Sequence, residues 1–393
     1  MDLEFETIRQ QEKDNLMPTY SRFPVALASG KGAVAKSCDG REYVDFTSGI
    51  GVNALGYCDD GWVKAVSQQA ATLQHVSNLY YQPVQIQLAE ALCRLTGFSK
   101  VFFGNSGAEA NECAIKLARK YSRDAYGEGR AEIVTLRNSF HGRTVTTLAA
   151  TGQDGLHTSF APFTEGFQYA EAPTMEAVGA CVSEKTCAVM IELIQGEGGV
   201  IPLPQAFVTA LRDYCRQKDL LLLIDEVQTG VGRTGALYAF QKFGIMPDVI
   251  TTAKGLGGGL PIGACLCGER LAGVMSAGTH GSTFGGNPVA CAGALEVLSR
   301  VSDPGFLRDV EEKGAYLRAR LEAMQGITEV RGMGMMLGAV LAEKKAGAVV
   351  AQCVEEGLLL LTAKDKLRFL PPLTISYGEL ARGLAILESV LKQ

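Results

Sequence analysis

Apolar runs of strand length recur along the chain at 101–103, 132–136, 188–193, 220–224, 248–252 and 262–267. Most are separated by amphipathic stretches long enough to form a helix. Strands alternating with helices predict an α/β fold, a mainly parallel sheet covered by helices. Beyond about Gly293 the rhythm changes to longer helices, expected around 306–324, 346–356 and 378–391, with short strands between them. No fixed-period repeat, Pro-rich linker or low-complexity tract intervenes. The expected organisation is a large domain over 56–292, with a smaller α+β lobe built from the N-terminal segment 1–55 and the C-terminal domain 293–393.

Ligands of an open parallel sheet bind beyond the carboxyl ends of its strands, so the residue that terminates each apolar run matters. Val101-Phe-Phe-Gly104 stops at Asn105-Ser106-Gly107, Val189-Met-Ile191 at Glu192, Leu221-Leu-Leu-Ile224 at Asp225, and Val249-Ile-Thr-Thr-Ala253 at Lys254. If these strands are parallel, the four ends share one edge of the sheet.

With 393 residues and 47% hydrophobic content the chain can bury a large core. Its net charge of −5, with Lys and Arg scattered, leaves no basic stripe for phosphates, so nucleic acid is not an expected partner. Residues 1–20 carry Asp2, Glu4, Glu6, Glu12 and Asp14 and no apolar stretch, which predicts no secretory leader. The longest apolar runs are too short to span a bilayer, and the expectation is a cytoplasmic protein without a membrane partner. Eleven cysteines without framework spacing suit a reducing compartment. Cys265-Leu-Cys267 has no second pair or nearby His and reads as packing, so no metal is expected.

The segment Ser106-Gly107-Ala108 joins a strand end to a stretch rich in helix formers. Free amides at a helix start, with a hydroxyl and a glycine for close approach, make a phosphate cup; a plain N-capping serine fits the same residues. Lys254-Gly-Leu-Gly-Gly-Gly259 has its lysine before the glycines, and no Gly-x-x-x-x-Gly-Lys-Ser/Thr occurs, so a P-loop is unsupported. No Gly-x-Gly-x-x-Gly opens a βα unit near the N-terminus either. A lysine at a strand end is ordinarily a solvated charge. Here, however, Asp225 closes an aliphatic run, where a carboxylate needs a cation to meet it, and a protonated pyridine nitrogen is such a cation. A lysine amine, a carboxylate for the ring nitrogen and a phosphate cup are together what pyridoxal 5′-phosphate (PLP) requires.

With these landmarks the chain resembles the class III (ω-amino) aminotransferases of PLP fold type I, and among them the N-acetylornithine aminotransferases. The likeness runs from Met17-Pro-Thr-Tyr20 to Leu367-Arg368-Phe-Leu-Pro-Pro-Leu373. It includes Asn105-Ser-Gly-Ala-Glu-Ala-Asn111, Ser139-Phe-His-Gly-Arg143, Glu192-Leu-Ile-Gln-Gly-Glu197, Asp225-Glu-Val-Gln228, Lys254-Gly-Leu-Gly-Gly-Gly259 and Gly281-Ser-Thr-Phe-Gly-Gly-Asn287. The resemblance implies that Lys254 carries the cofactor as an imine, that Asp225 holds the ring nitrogen protonated, and that Ser106, Gly107 and Ala108 bind the phosphate. Phe140 and Val227 are implied on the two faces of the ring and Gln228 at its phenolic oxygen. Ser282 and Thr283 are implied to serve the phosphate of a neighbouring subunit, and hence a homodimer with shared sites; a surface turn is the other reading of that pair. Tyr20, Arg143, Glu192, Glu197 and Arg368 are implied at the substrate. Arg143 would grip a carboxylate, while Glu197 would mask Arg368 as long as the amino donor is bound; a structural salt bridge is the alternative for that pair. His141, the only histidine in a motif, reads as a supporting residue.

Two stretches depart from the family. Gly56-Tyr-Cys-Asp-Asp-Gly-Trp62 replaces the usual Gly-His-x-His-Pro before a helix, and in Arg368-Phe-Leu-Pro371-Pro372 a Pro stands in place of the more usual Ser. Ser77-Asn-Leu-Tyr-Tyr81 matches the acetylornithine type better than the ornithine type. The implied reaction is transfer of an amino group from N2-acetyl-L-ornithine to 2-oxoglutarate. Ornithine, succinyl-diaminopimelate, 4-aminobutyrate and putrescine are alternative donors, and an aminomutase or a non-catalytic ligand-binding descendant are alternatives of another class.

Overall fold

The computed structural model describes residues 3–393, so the first two positions of the expected N-terminal segment lie outside it. Its centre is a seven-stranded sheet of β1 (Lys100–Gly104), β2 (Glu132–Leu136), β3 (Phe167–Ala170), β4 (Thr186–Ile191), β5 (Leu221–Asp225), β6 (Val249–Thr252) and β7 (Gly263–Cys267). The spatial order is β1-β7-β6-β5-β4-β2-β3. Pairing is parallel from β6 across to β3, while β7 runs antiparallel to both β6 and β1. Six strands therefore share one direction, with β7 the exception.

The two-residue period of the strands divides the core. In β4 and β5, Ala188, Met190, Leu221 and Leu223 pack with Cys113, Ala114, Leu117 and Ala118 of the Gly107–Tyr126 helix. Their neighbours Val189, Ile191, Leu222 and Ile224 cluster on the opposite face with Phe207, Val208, Leu211 and Cys215 of the Gln205–Gln217 helix. Strands buried on both faces read as unbroken apolar runs, which is why they stood out in the sequence. The edge strand β3 did not, because Gln168 is exposed and Phe167 and Tyr169 are only half-buried.

Smaller sheets flank this body. Leu27–Lys31, Val34–Ser37 and Glu42–Asp45 form an antiparallel meander whose last strand pairs in parallel with Leu358–Leu359, joining the two ends of the chain in one sheet. Ile327–Met333, Met336–Leu341, Lys366–Phe369 and Leu361–Ala363 make a second antiparallel sheet, in which Arg368 lies opposite Gly338. The helices Pro304–Glu322, Ala346–Glu355 and Tyr377–Lys392 cover this region. Ser376 and Glu379 close a reciprocal capping box at the start of the last one. Among the described residues no helix is long and apolar enough to cross a membrane.

Candidate active site

The carboxyl ends of β1, β4, β5 and β6 converge on a cavity of about 460 Å³. Lys254, directly beyond β6, opens a 3₁₀ turn over Lys254–Gly257 and takes a left-handed conformation at φ 40°. That geometry costs a side-chain-bearing residue on the order of 1–2 kcal/mol, so the surroundings must hold it. One support is Trp62, whose indole N–H donates to the Gly257 carbonyl at 3.0 Å. A Cβ on Gly258 would stand 2.7 Å from that indole nitrogen, so glycine is needed for the approach. Trp62 belongs to the departing segment 56–62, where the Asp59 side chain caps the next helix by accepting from the Trp62 amide at 3.1 Å. Burial lowers the pKa of the Lys254 amine, and the negative charge of Glu197 only partly opposes it. A neutral amine is a nucleophile and a proton acceptor.

Asp225 ends β5 with its carboxylate fully engaged on the protein side. Oδ2 accepts from Asn111 Nδ2 at 2.8 Å and from His141 Nδ1 at 2.9 Å, and Oδ1 accepts from the Val227 amide at 3.0 Å. Asn111 is itself fixed, donating to the His141 carbonyl at 2.7 Å and accepting from Thr251 Oγ1 at 2.6 Å. Burial disfavours a charged His141, but the hydrogen bond and charge of Asp225, with help from Glu192, outweigh it and raise its pKa.

Beyond β4, Glu192 accepts from the Phe140 amide at 2.9 Å and the Gly196 amide at 3.3 Å. Burial, with the nearby charge of Asp225, pushes its carboxyl up to about 7 against the pull of His141. Arg143 lines the cavity with its guanidinium 5.5 Å from the centroid of the Phe140 ring, and among the described residues no carboxylate pairs with it. Arg368, by contrast, is buried and pairs with Glu197, and it approaches Gln228 Oε1 at 3.4 Å.

Gly107, Ala108, Phe140, Arg143, Glu192, Asp225, Val227, Gln228 and Lys254 thus line one cavity, and Glu197 and Arg368 adjoin it through Gln228. Ser106 caps the Gly107–Tyr126 helix, its Oγ accepting from the Glu109 amide at 3.2 Å. Ser282 accepts from Asn105 Nδ2 at 3.1 Å but lines a separate hollow, and Thr283 is exposed and off the wall. Tyr20 is 75% exposed and lines a separate hollow beside the N-terminal helix. Within one chain, then, Tyr20, Ser282 and Thr283 are not brought to the cavity.

A family model described as aminotransferase class-III matches residues 16–391. The chain belongs to the class-III aminotransferases. It is 47% identical over 390 residues to an acetylornithine aminotransferase of Haemophilus ducreyi, covering 99% of each chain. Among solved structures it superposes on an ornithine aminotransferase of Toxoplasma gondii with a TM-score of 0.94 at 30% identity, covering 99% of this chain and 95% of that one. It also superposes on an N-acetylornithine aminotransferase of Stenotrophomonas maltophilia with a TM-score of 0.84 at 36% identity, covering 98% of each.

Members of this family depend on PLP, and the cavity walls fit that cofactor. The leading amides of the Gly107–Tyr126 helix have no preceding turn to donate to, and the absent Cβ of Gly107 keeps that edge open, since it would lie 2.7 Å from Val227 Cγ1. His141 keeps a buried Nε2 without a partner beside Asp225. Asn111, Thr251 and Trp62 escaped sequence reasoning as site-shaping residues. Asn111 closes the segment Asn105–Asn111, but nothing local marks its link to Asp225, 114 positions away.

Proposed function

We propose that this enzyme transfers the distal amino group of N2-acetyl-L-ornithine to 2-oxoglutarate, giving N-acetyl-glutamate semialdehyde and glutamate, a step of arginine biosynthesis. The observation that carries the reading is the contrast between its two arginines: among the described residues no carboxylate pairs with Arg143 at the cavity, while Arg368 is neutralised by Glu197. A donor reacting through a distal amine places its α-carboxylate far from the reacting end, at Arg143, and needs no second cation. Glutamate reacts through its α-amine, so its α-carboxylate requires Arg368 released from Glu197, while Arg143 takes the side-chain carboxylate. The acyl group fits the same wall. Of the two carboxylates lining the cavity, Asp225 is given to the ring nitrogen and burial pushes the carboxyl of Glu192 up to about 7, so a free α-ammonium would find little counter-charge and an amide needs none.

PLP, when bound, supplies an electron sink for the carbon that loses its proton. Lys254 Nζ would hold the cofactor and carry that proton. Asp225 keeps the ring nitrogen protonated, and Asn111 and His141 fix the orientation of its carboxylate. The Ser106 hydroxyl and the amides of Gly107 and Ala108 would hold the phosphate, Phe140 and Val227 would flank the ring, and the Gln228 amide would serve its phenolic oxygen. Glu192 and Tyr20 contribute to the substrate side.

Two copies would complete each site. Thr283 is exposed beside Phe284, itself 62% exposed, and Asn78 ties this segment down by donating to the Ser282 and Gly285 carbonyls at 3.1 and 3.0 Å. An apolar surface of this kind suits a second copy, which would receive Ser282 and Thr283 at its phosphate. Sedimentation of the holoenzyme is expected to give a dimer.

The test of function is a donor screen with 2-oxoglutarate, following cofactor absorbance through each half-reaction. N-acetylornithine is expected to rank above ornithine, succinyl-diaminopimelate, 4-aminobutyrate and putrescine. A preference for ornithine overturns the donor assignment, and turnover without 2-oxoglutarate indicates an aminomutase instead.

A further inference from the structure

The residues leading from the N-terminal meander toward the cavity form an unusual turn. Ser48, Gly49, Ile50 and Gly51 all have positive φ, at 43°, 64°, 64° and 78°, and Val52 then lines the cavity. A β-branched residue in that region is a steric outlier, so neighbouring contacts must impose the turn. On one side the buried Asp45 Oδ1 accepts from the amides of Thr47 at 2.7 Å and Ser48 at 3.0 Å. On the other stands Arg233, only 2% exposed, whose Nη2 reaches Ser48 Oγ at 3.4 Å.

Among the described residues no carboxylate pairs directly with Arg233. Its Nη1 donates to the Met335 carbonyl at 3.2 Å and to the Pro371 carbonyl, and its own carbonyl accepts from the Met335 amide at 2.9 Å. Burial pushes the guanidinium down to about 9, with Asp45 opposing only at a distance, so it is still charged at neutral pH. A buried cation without a contacting anion is costly, and a neutral side chain of similar size would avoid that cost. What Arg233 achieves in return is visible in its partners. Ser48 Oγ donates to the Leu370 carbonyl at 2.6 Å, and the Leu370 amide donates to the Phe46 carbonyl at 2.8 Å. Leu370 and Pro371 directly follow the Lys366–Phe369 strand that carries Arg368.

We propose that Arg233 and Ser48 are positioning residues for Arg368: by holding the carbonyls of Leu370 and Pro371, they fix its reach toward an α-carboxylate in the glutamate half of the reaction. The proposal rests on the Glu197–Arg368 switch described above.

Single-turnover absorbance on holoenzyme tests it, with Ser48→Ala, Arg233→Lys, Arg368→Ala and the Ser48→Ala/Arg368→Ala double variant. Loss of one neutral hydrogen bond predicts that Ser48→Ala raises the half-saturating glutamate concentration by up to about tenfold. The N-acetylornithine half should stay within about twofold, as expected when the changed group has no partner on that substrate. Arg233→Lys should shift the same way; if it does not fold, Ser48→Ala carries the test. In the Arg368→Ala background Ser48→Ala should add nothing further. Equal losses in both halves for Ser48→Ala, or an undiminished effect once Arg368 is gone, would overturn the positioning role while leaving the switch intact. If Arg368→Ala itself spares glutamate, the switch fails and this inference falls with it.

Discussion

Replacing Asp225 with asparagine keeps its volume and removes its charge, and the geometry sets what that costs. The carboxylate accepts three hydrogen bonds, from Asn111 Nδ2 and His141 Nδ1 on Oδ2 and from the Val227 amide on Oδ1. An amide has one oxygen. With that oxygen in the Oδ2 position its NH₂ group meets the Val227 N–H; turned round, it meets the Asn111 NH₂. Asn111 cannot flip to compensate, because Thr251 Oγ1 and the His141 carbonyl lock its two ends. Either way a buried donor loses its acceptor, at about 1–3 kcal/mol of stability. The charge lost opposite the pyridine nitrogen is a separate effect, about 3–4 kcal/mol of transition-state stabilisation if it compares with other preorganised electrostatic partners. That corresponds to two to three decades in the donor half-reaction. Asp225→Asn is therefore expected to retain PLP, to melt earlier, and to convert N-acetylornithine in single-turnover absorbance experiments roughly a hundredfold to a thousandfold more slowly. A donor half-reaction within about tenfold of the unmodified enzyme would mean less than 1.4 kcal/mol at the barrier and would refute the assignment.

Lys254→Ala should leave a protein that binds PLP without a borohydride-reducible link and transaminates negligibly; fixation of the cofactor to another lysine would count against Lys254. Gly107→Ala places a Cβ 2.7 Å from Val227 Cγ1, so PLP titration of the apoenzyme should show affinity weakened by about tenfold or more, the usual scale of an overpacking cost, and unchanged affinity would contradict the phosphate cup. Glu197→Ala should preserve the glutamate half-reaction and impair the N-acetylornithine half, and Arg368→Ala should do the reverse, each by roughly one to two decades for one charge-assisted contact. Equal losses in both halves would leave a plain structural ion pair. Buried Glu226, which accepts from the Ala239 and Phe240 amides at 3.0 and 2.7 Å, has its carboxyl pushed by burial from the ordinary 4.5 up to about 7. The folded state thus binds this proton more tightly than the unfolded chain, and stability from this group declines as pH rises from 4.5 to about 7. Glu226→Gln should flatten that decline in urea midpoints measured between about pH 5 and 8, and an identical slope would contradict the burial argument.

The apolar runs that became β2, β4, β5, β6 and β7 were legible because strands buried on both faces leave an unbroken local signature, and β1, a half-buried edge strand, was legible only through its short Val-Phe-Phe run. The polar residue closing each run, Lys254 or Asp225 for example, was legible for the same reason. Strand direction was not, and β7 runs against its neighbours although its sequence reads like theirs. The N-terminal end of the Gly107–Tyr126 helix followed from Ser106, whereas the edge strand β3 lacked a buried pattern to announce it. What only the tertiary structure decided is pairing across long separations. Trp62 meets the Gly257 carbonyl 195 positions away, Ser48 meets Leu370 across 322, and Arg233 meets Pro371 across 138. Each is a single residue of ordinary type with no periodicity around it. Periodicity reports which side of an element is buried, whereas a hydrogen bond between distant elements depends on how their backbones pack, which no local pattern encodes.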